Sequence, residues 1–178
     1  MSIIFNKELL FFIISEQINN ECSFICKIIK ENKNISKDKL TKLVKEKINK
    51  DIFEKDILKL KNQKFINSEN DFFSLNDNNI LQVLKYPKFL FLINMLFGEK
   101  ANNICEIFME FGICNFNQLI QKLELKNISG IDDYINIFLL LIEREYLIKE
   151  KENFLEESNN IINTEIKNHL INYKTIVK

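Results

Sequence analysis

The sequence has no tryptophan, one proline and three glycines among its 178 residues. Most tight turns between strands need glycine or proline, so their scarcity excludes a protein built from many hairpins. Arginine and histidine occur once each, as Arg144 and His169, and lysine supplies the remaining basic charge. The net charge is zero, which argues against a polybasic binder of nucleic acid or membranes. We therefore expect a mostly helical globular protein.

Catalytic and metal-binding motifs are also missing. The chain contains no glycine-rich phosphate loop and no HExxH pattern, and His169 has no partner by motif. The four cysteines form no CxxC pair, and two of them, Cys22 and Cys26, continue the apolar stripe of a predicted helix. The sequence therefore predicts a non-catalytic protein with no cofactor, no metal and no small-molecule substrate.

No segment is expected to enter a membrane. The apolar run at residues 9–14 is short and lacks the small-residue cleavage site of a secretory signal. The run at residues 89–97 is about half the length that a bilayer span needs. Four free thiols fit a reducing compartment, and a soluble intracellular protein is expected.

Residues 20–75 contain three helical patterns followed by two short strands. The first helix opens near Asn20, Ser36 caps the second, and Asp51 with Glu54 resembles a capping box for the third. The expected inward-facing residues of the second and third helices are Leu40, Leu43, Val44, Phe53, Ile57 and Leu60. Strands are predicted at residues 65–66 and 72–75. Three helices and a hairpin are typical of a winged helix.

The same layout recurs about 80 residues later. A helix that follows Pro87 is predicted to run on to Phe111 and to stop at Gly112, and Asn115 with Gln118 opens the next helix. A further helix covers residues 131–143, with strands at 146–148 and 154–155. The predicted fold is mainly α with small β wings, as tandem winged-helix domains joined by a central helix. The domains are residues 1–78 and 79–158, and a helical tail follows at 159–178.

The third helix of the first copy is the candidate nucleic-acid-binding element. Residues 37–64 hold ten lysines and five acidic residues. Lys55, Lys59 and Asn62 share the helix face turned away from the apolar stripe, and Lys64 follows the helix. Such lysines neutralise phosphates with little sequence preference. The alternative is a face that serves only solubility.

The equivalent helix of the second copy differs in chemistry. It is acidic at its start and apolar almost all round, so it would repel phosphate and needs cover on every side. We expect it to dock another protein through Tyr134, Phe138 and Leu141.

The junction reads Leu84-Lys85-Tyr86-Pro87-Lys88-Phe89 and leads into a long apolar helix. With a winged-helix pattern on either side, this arrangement resembles the start of the tandem winged-helix subunit specific to RNA polymerase III, which is related to the alpha subunit of TFIIE. The resemblance covers residues 7–149. The further winged helices and coiled coil of that family are absent from this sequence.

The resemblance implies a nuclear, non-catalytic subunit that acts in promoter recruitment and opening. Its implied partners are the clamp of the largest polymerase subunit, the companion initiation subunits and promoter DNA. Two alternatives stay open on the sequence. One is a protein–protein adaptor of the ESCRT type, and the other is a stand-alone DNA-binding regulator.

Overall fold

The computed structural model describes residues 7–125, 131–149 and 172–175. The chain divides into two compact units, Met1–Lys85 and Tyr86–Lys178. The fold is mainly helical, and each unit carries a small three-stranded antiparallel sheet. The boundary lies after residue 85 rather than after residue 78, because Ile80 is buried in the first core.

The first unit begins with a helical pair, α1 (Lys7–Gln17) and α2 (Asn20–Asn32). The elements that follow are β1 (Ile35–Ser36), α3 (Lys37–Val44), α4 (Lys50–Asn62), β2 (Ile66–Glu69), β3 (Phe72–Leu75), α5 (Asp77–Gln82) and a 3-10 turn (Val83–Lys85).

The second unit repeats this order. Its elements are α6 (Tyr86–Phe97), α7 (Glu99–Phe111), β4 (Cys114–Asn115), α8 (Phe116–Leu125), α9 (Ile131–Glu143), β5 (Leu147–Lys149) and β6 (Asn172–Thr175). In the described residues, both units therefore contain the order helix, helix, strand, helix, helix, strand, strand, and the first unit continues with α5 and the 3-10 turn.

Two helix starts are confirmed by their caps. The Ser36 side chain accepts a hydrogen bond from the backbone N–H of Lys39 at 3.4 Å at the start of α3. At α8, Asn115 and Gln118 exchange side-chain-to-backbone bonds of 2.9 Å, so each satisfies a backbone N–H of the other residue.

Two other predicted starts are wrong by one or two residues. Asn19, not Asn20, caps α2 through a 2.7 Å bond from the N–H of Cys22. Asn49 caps α4, so Asp51 lies inside its first turn and forms no capping box with Glu54. In both places the asparagine with extended backbone precedes the first acidic residue, and a short side-chain amide reaches the backbone from there.

The first sheet has the strand order β1-β3-β2, with β3 antiparallel to both neighbours. Asn70 and Asp71 connect β2 to β3 with φ values of 47° and 62°. Asparagine and aspartate tolerate this left-handed backbone, and such a turn matches the twist of a hairpin. The predicted hairpin is therefore confirmed.

The second sheet has the corresponding order β4-β6-β5, but its central strand comes from far along the chain. Tyr173 in β6 pairs with Cys114 on one side and with Lys149 on the other. The predicted return strand at residues 154–155 and most of the predicted tail helix lie outside the described residues. For Tyr173 the helical prediction is wrong, because β6 supplies the backbone partners that β4 and β5 need.

Each unit has its own hydrophobic core. Leu40, Val44, Phe53, Ile57 and Leu60 are buried in the first, as predicted, together with Cys22 and Cys26. Leu43 was expected to face inward and is instead 47% exposed.

The helix after Pro87 is shorter than predicted. Gly98, with φ of 82°, separates α6 from α7, and α7 then ends at Gly112 as expected. The buried residues of α6, Phe89 and Ile93, belong to the second core. A residue in this left-handed conformation cannot continue an α-helix, which explains the break.

The helical run Asp77–Phe97 is, by length and composition, long and apolar enough to cross a membrane, with 21 residues and a mean hydropathy of 1.4. The sequence estimate, made on residues 89–97 alone, missed this. The run also supplies Ile80 to the first core and Ile93 to the second, and it carries Lys85 and Lys88 in its interior. Only 17% of the most apolar 18-residue window of the run is buried, and intramembrane lysine is costly.

Replacement of Lys174 by proline tests the central position of β6. Proline removes a ladder N–H, so the second unit should lose about 1–3 kcal/mol of stability. All four tyrosines (Tyr86, Tyr134, Tyr146 and Tyr173) lie in the second unit, so tyrosine fluorescence during urea unfolding reports that unit alone. The Lys174→Thr control should leave the midpoint near that of the wild type. An unchanged midpoint for the proline variant would contradict the pairing.

Candidate nucleic-acid interface

Helix α4 presents the predicted lysines as expected from its period. Its buried side is formed by Phe53, Ile57 and Leu60, while Lys55 and Lys59 are exposed and Asn62 is half-buried. The Lys55 side chain makes no ion pair or hydrogen bond with a described residue. Of the predicted set, Lys55 is therefore the lysine that is most available to a phosphate.

A buried carboxylate, Asp56, lies on the inner side of the same helix with only 1% exposure. Its Oδ1 atom accepts hydrogen bonds from Asn19 Nδ2 at 3.1 Å and from Lys59 Nζ at 2.9 Å. Its Oδ2 atom has no partner among the described residues. The ion pair with Lys59 offsets part of the cost of burying this charge.

Asn19 connects this carboxylate to the start of α2. The Oδ1 atom of Asn19 caps α2 through Cys22, while its Nδ2 donates to Asp56 on α4. The Cys22 thiol lies 3.9 Å from the Asp56 backbone carbonyl, and burial, with the Asp56 charge as a further cause, raises the pKa of Cys22 far above its ordinary value. One polar cluster thus fixes α2 against α4.

Lys59 is part of this cluster. Its hydrogen bond to Asp56 raises the pKa of Lys59, although its side chain is 51% exposed. A phosphate that binds Lys59 must therefore compete with a carboxylate already in contact with it. The sequence offered one signal of this pairing, an acidic residue inside an apolar stripe with lysine three residues later.

The backbone of Lys64 takes part in the termination of α4. Lys64 follows the C-cap residue with φ of 57°, and the next N–H, that of Phe65, donates to the Leu60 carbonyl at 3.0 Å. The Lys64 carbonyl also accepts a 3.0 Å bond from Asn79 Nδ2. Lys64 is half-buried, so it is a weaker candidate for phosphate contact than Lys55.

Nearby lysines have partners within the protein. Lys37 pairs with Glu54 at 3.1 Å, and the Lys61 ammonium lies 5.2 Å from the centre of the Phe73 ring. The exposed side of α4 also includes Asp51 and Leu58, the latter 59% exposed. The interface that sequence counting suggested is thus reduced to a mixed surface around Lys55.

The predicted docking residues of α9 are buried in their own unit. Tyr134 and Phe138 are each 3% exposed and Leu141 is fully buried. Asn103 Nδ2 donates to the Tyr134 hydroxyl at 3.1 Å, and the Phe138 ring stacks on Phe108 with centroids 6.4 Å apart. The docking prediction is wrong for these three side chains because they fill the second core.

The repeat explains this position. Tyr134, Phe138 and Leu141 occupy the same places in the 13-residue α9 as Phe53, Ile57 and Leu60 occupy in the 13-residue α4. A position-by-position alignment of the two helices is the signal that would have assigned them to the core.

An exposed apolar face lies instead on α6. Phe91, Leu92, Met95 and Leu96 are between 47% and 70% exposed. Phe91 and Met95 lie on the side of the helix opposite the buried Phe89 and Ile93, and Leu92 and Leu96 extend the exposed face toward the buried side. Sequence reasoning missed this outer face.

Metal ligands do not cluster in the described ranges: no group of three or more histidine, cysteine, aspartate or glutamate side chains is placed to hold an ion there. Burial raises the pKa of both Cys105 and Cys114 to about 12, which disfavours the thiolate needed for ligation or nucleophilic attack. His169 lies outside the described residues.

Replacement of Lys59 by methionine tests the buried ion pair. The change leaves the Asp56 charge without its cation, so the first unit should lose about 1–3 kcal/mol of stability. Lys55→Met is the matched control and should shift stability by less than about 0.5 kcal/mol. Urea unfolding followed by far-UV circular dichroism measures both. Equal effects of the two variants would show that the pair does not stabilise the unit.

The sequence was compared with models of protein families and with curated proteins, and neither comparison gave a match.

Proposed function

We propose that the chain is a tandem winged-helix protein that acts as a non-catalytic subunit of RNA polymerase III in transcription initiation. The observation that carries the proposal is the element order repeated in both units. In each, one additional helix precedes the order helix, strand, helix, helix, strand, strand, and the last strand is central in the sheet. This order is typical of a winged helix, and two copies in tandem match the resemblance of the sequence.

Details of the turns support a true internal repeat. At the end of α4 the Phe65 N–H donates to Leu60, and at the end of α9 the Tyr146 N–H donates to Leu141. The residue before each donor, Lys64 or Glu145, has φ near 58°. The same helix stop, five residues after the same core position, is better explained by a duplicated domain than by chance.

The junction segment supports the family proposal. Tyr86 and Pro87 open α6, where proline tolerates the loss of its N–H. Tyr86 packs against the second core, and its burial raises the pKa of its hydroxyl. Two of the residues that carry the resemblance, Tyr86 and Pro87, therefore form the first turn of α6.

A subunit also needs a surface that its complex covers. The exposed face of α6, with Phe91, Leu92, Met95 and Leu96, is a candidate, since contiguous exposed apolar side chains mark interaction sites. We assign it to contact with an apolar surface of a polymerase subunit. Promoter DNA would then meet the surface around Lys55 as a weak, sequence-independent contact.

A protein–protein adaptor is the second candidate. The observation that favours it is the mixed outer side of α4, where Asp51 and Leu58 accompany Lys55. A surface of this composition suits a protein partner at least as well as a phosphate backbone.

Affinity purification of the tagged full chain from its native cells tests the assignment. We expect nuclear location and recovery of RNA polymerase III subunits, and Met95→Asp should abolish that recovery because it places a charge on the apolar face. Leu139→Asp, at an exposed apolar residue of α9, is the matched control and should retain the complex. Consistent absence of polymerase subunits with the wild-type chain would refute the proposal.

Duplex-DNA binding at several salt concentrations separates a nucleic-acid reader from an adaptor. If Lys55 contacts a phosphate, Lys55→Gln should reduce the slope of log affinity against log salt by about one. Lys88→Gln, at an exposed lysine of α6, should leave the slope unchanged. Absence of binding by the wild-type chain at low salt would favour the adaptor.

A further inference from the structure

A surface cleft of about 360 Å³ opens where α3 ends and α4 begins. It is lined by Thr41, Lys42, Val44, Lys45, Ile48, Lys50 and Phe53. Val44, Ile48 and Phe53 belong to the first core, so a stable part of the domain forms the bottom of the cleft. The shape of the cleft is therefore set by the packed core of the first unit and needs no ligand.

The lining of the cleft is almost entirely carbon. The Thr41 hydroxyl donates to the Lys37 carbonyl at 2.8 Å, so its hydrogen is already used within α3. The lysines contribute their alkyl stems to the walls, and their ammonium groups stay in water at the rim. An apolar side chain that enters the cleft would thus lose water without leaving a polar group unpaired.

The rim carries one sign of charge. Lys42, Lys45 and Lys50 are exposed, and none of their side chains has an ion pair or hydrogen bond with a described residue. No acidic residue lines the cleft, although Glu46 and Asp51 follow two of the lysines in sequence. This arrangement differs from that of Lys59, Lys37 and Lys61, which have partners within the protein.

We propose that this cleft binds an acidic peptide segment that inserts one large apolar side chain between Lys42, Lys45 and Lys50. The carboxylates of the peptide pair with the three ammonium groups, and the apolar side chain rests on Val44, Ile48 and Phe53. The proposal stands on the cleft itself and holds whether or not the chain is a polymerase subunit.

A peptide fits this cleft better than nucleic acid does. A phosphate backbone would satisfy the lysines but would gain nothing from a carbon-lined floor. A peptide combines both chemistries in one segment. Protein interfaces usually have an apolar side chain that fills a central pocket and polar or charged residues around it.

The test uses the full chain and fluorescein-labelled peptides in fluorescence anisotropy. One short peptide has aspartate and glutamate around a central phenylalanine, and a second has serine in place of the phenylalanine. We expect the phenylalanine peptide to bind about tenfold more tightly than the serine peptide, and Lys42→Glu with Lys45→Glu to weaken it by about tenfold or more.

The matched control is Lys33→Glu with Lys88→Glu, which changes the net charge equally at exposed lysines outside the cleft. It should alter the affinity by less than about threefold. Far-UV circular dichroism verifies that each variant is folded. Equal losses in both double variants would reduce the effect to general charge and overturn the proposal, and so would equal binding of the two peptides.

Competition by unlabelled duplex DNA identifies the remaining possibility. If DNA binds, displaces the peptide and loses affinity in the Lys42→Glu and Lys45→Glu variant, while the phenylalanine gives no advantage, the rim is a nucleic-acid surface and the proposal is wrong.

Discussion

Burial of one helical stripe in each unit is the constraint on which the other features depend. Phe53, Ile57 and Leu60 of α4 fill the first core, and their counterparts on α9 fill the second. A domain of this size has a small core, so the loss of any of these side chains would lower the free energy of unfolding by several kcal/mol. Once this side of α4 is fixed inward, the period of the helix determines which residues can meet a partner. Lys55 faces outward for that reason, while Asp56 is drawn inward and needs Lys59 and Asn19 as partners.

Both units bury the same helical stripe, but they differ in the residues that lie beside it. At the position of Asp56 the second unit has Ile137, which packs against its core, so no buried charge needs a cation there. The first unit consequently combines a polar cluster with a lysine-rimmed cleft, and the second combines the largely apolar helix α9 with the exposed face of α6. The surfaces of the two units therefore differ in composition, with unpaired lysines described on the first and exposed apolar side chains on α6 of the second.

Much of the fold was predictable because local chemistry determined it. The apolar period identified α2, α3, α4, α8 and α9, Ser36 and Asn115 marked two helix starts, and the scarcity of glycine argued against a sheet-rich protein. The pairing of strands that lie far apart in the sequence was harder to predict. Nothing local in residues 172–175 distinguishes a strand from the helix expected there, because the choice depends on the distant edges of β4 and β5.

Prediction of the candidate site was limited by the same difficulty. Counting lysines identified a basic segment, but not which of them have internal partners. Lys59 lies against a carboxylate, and the carbonyl of Lys64 accepts a bond from Asn79, whereas Lys42, Lys45 and Lys50 have no partner among the described residues and lie at the rim of the cleft. These lysines look alike in the sequence, and only their contacts in the folded structure distinguish them.

The central place of β6 has a consequence for how the chain folds during synthesis. The first sheet closes through a two-residue turn, so it can form as soon as β3 has left the ribosome. The second sheet must wait until residues 172–175 have emerged, and until then β4 and β5 keep unpaired backbone edges. Because closing a longer loop costs only about 0.6 kcal/mol per doubling of its length, the delay is mainly kinetic. The second unit should therefore be the part of the newborn chain that most needs protection by chaperones.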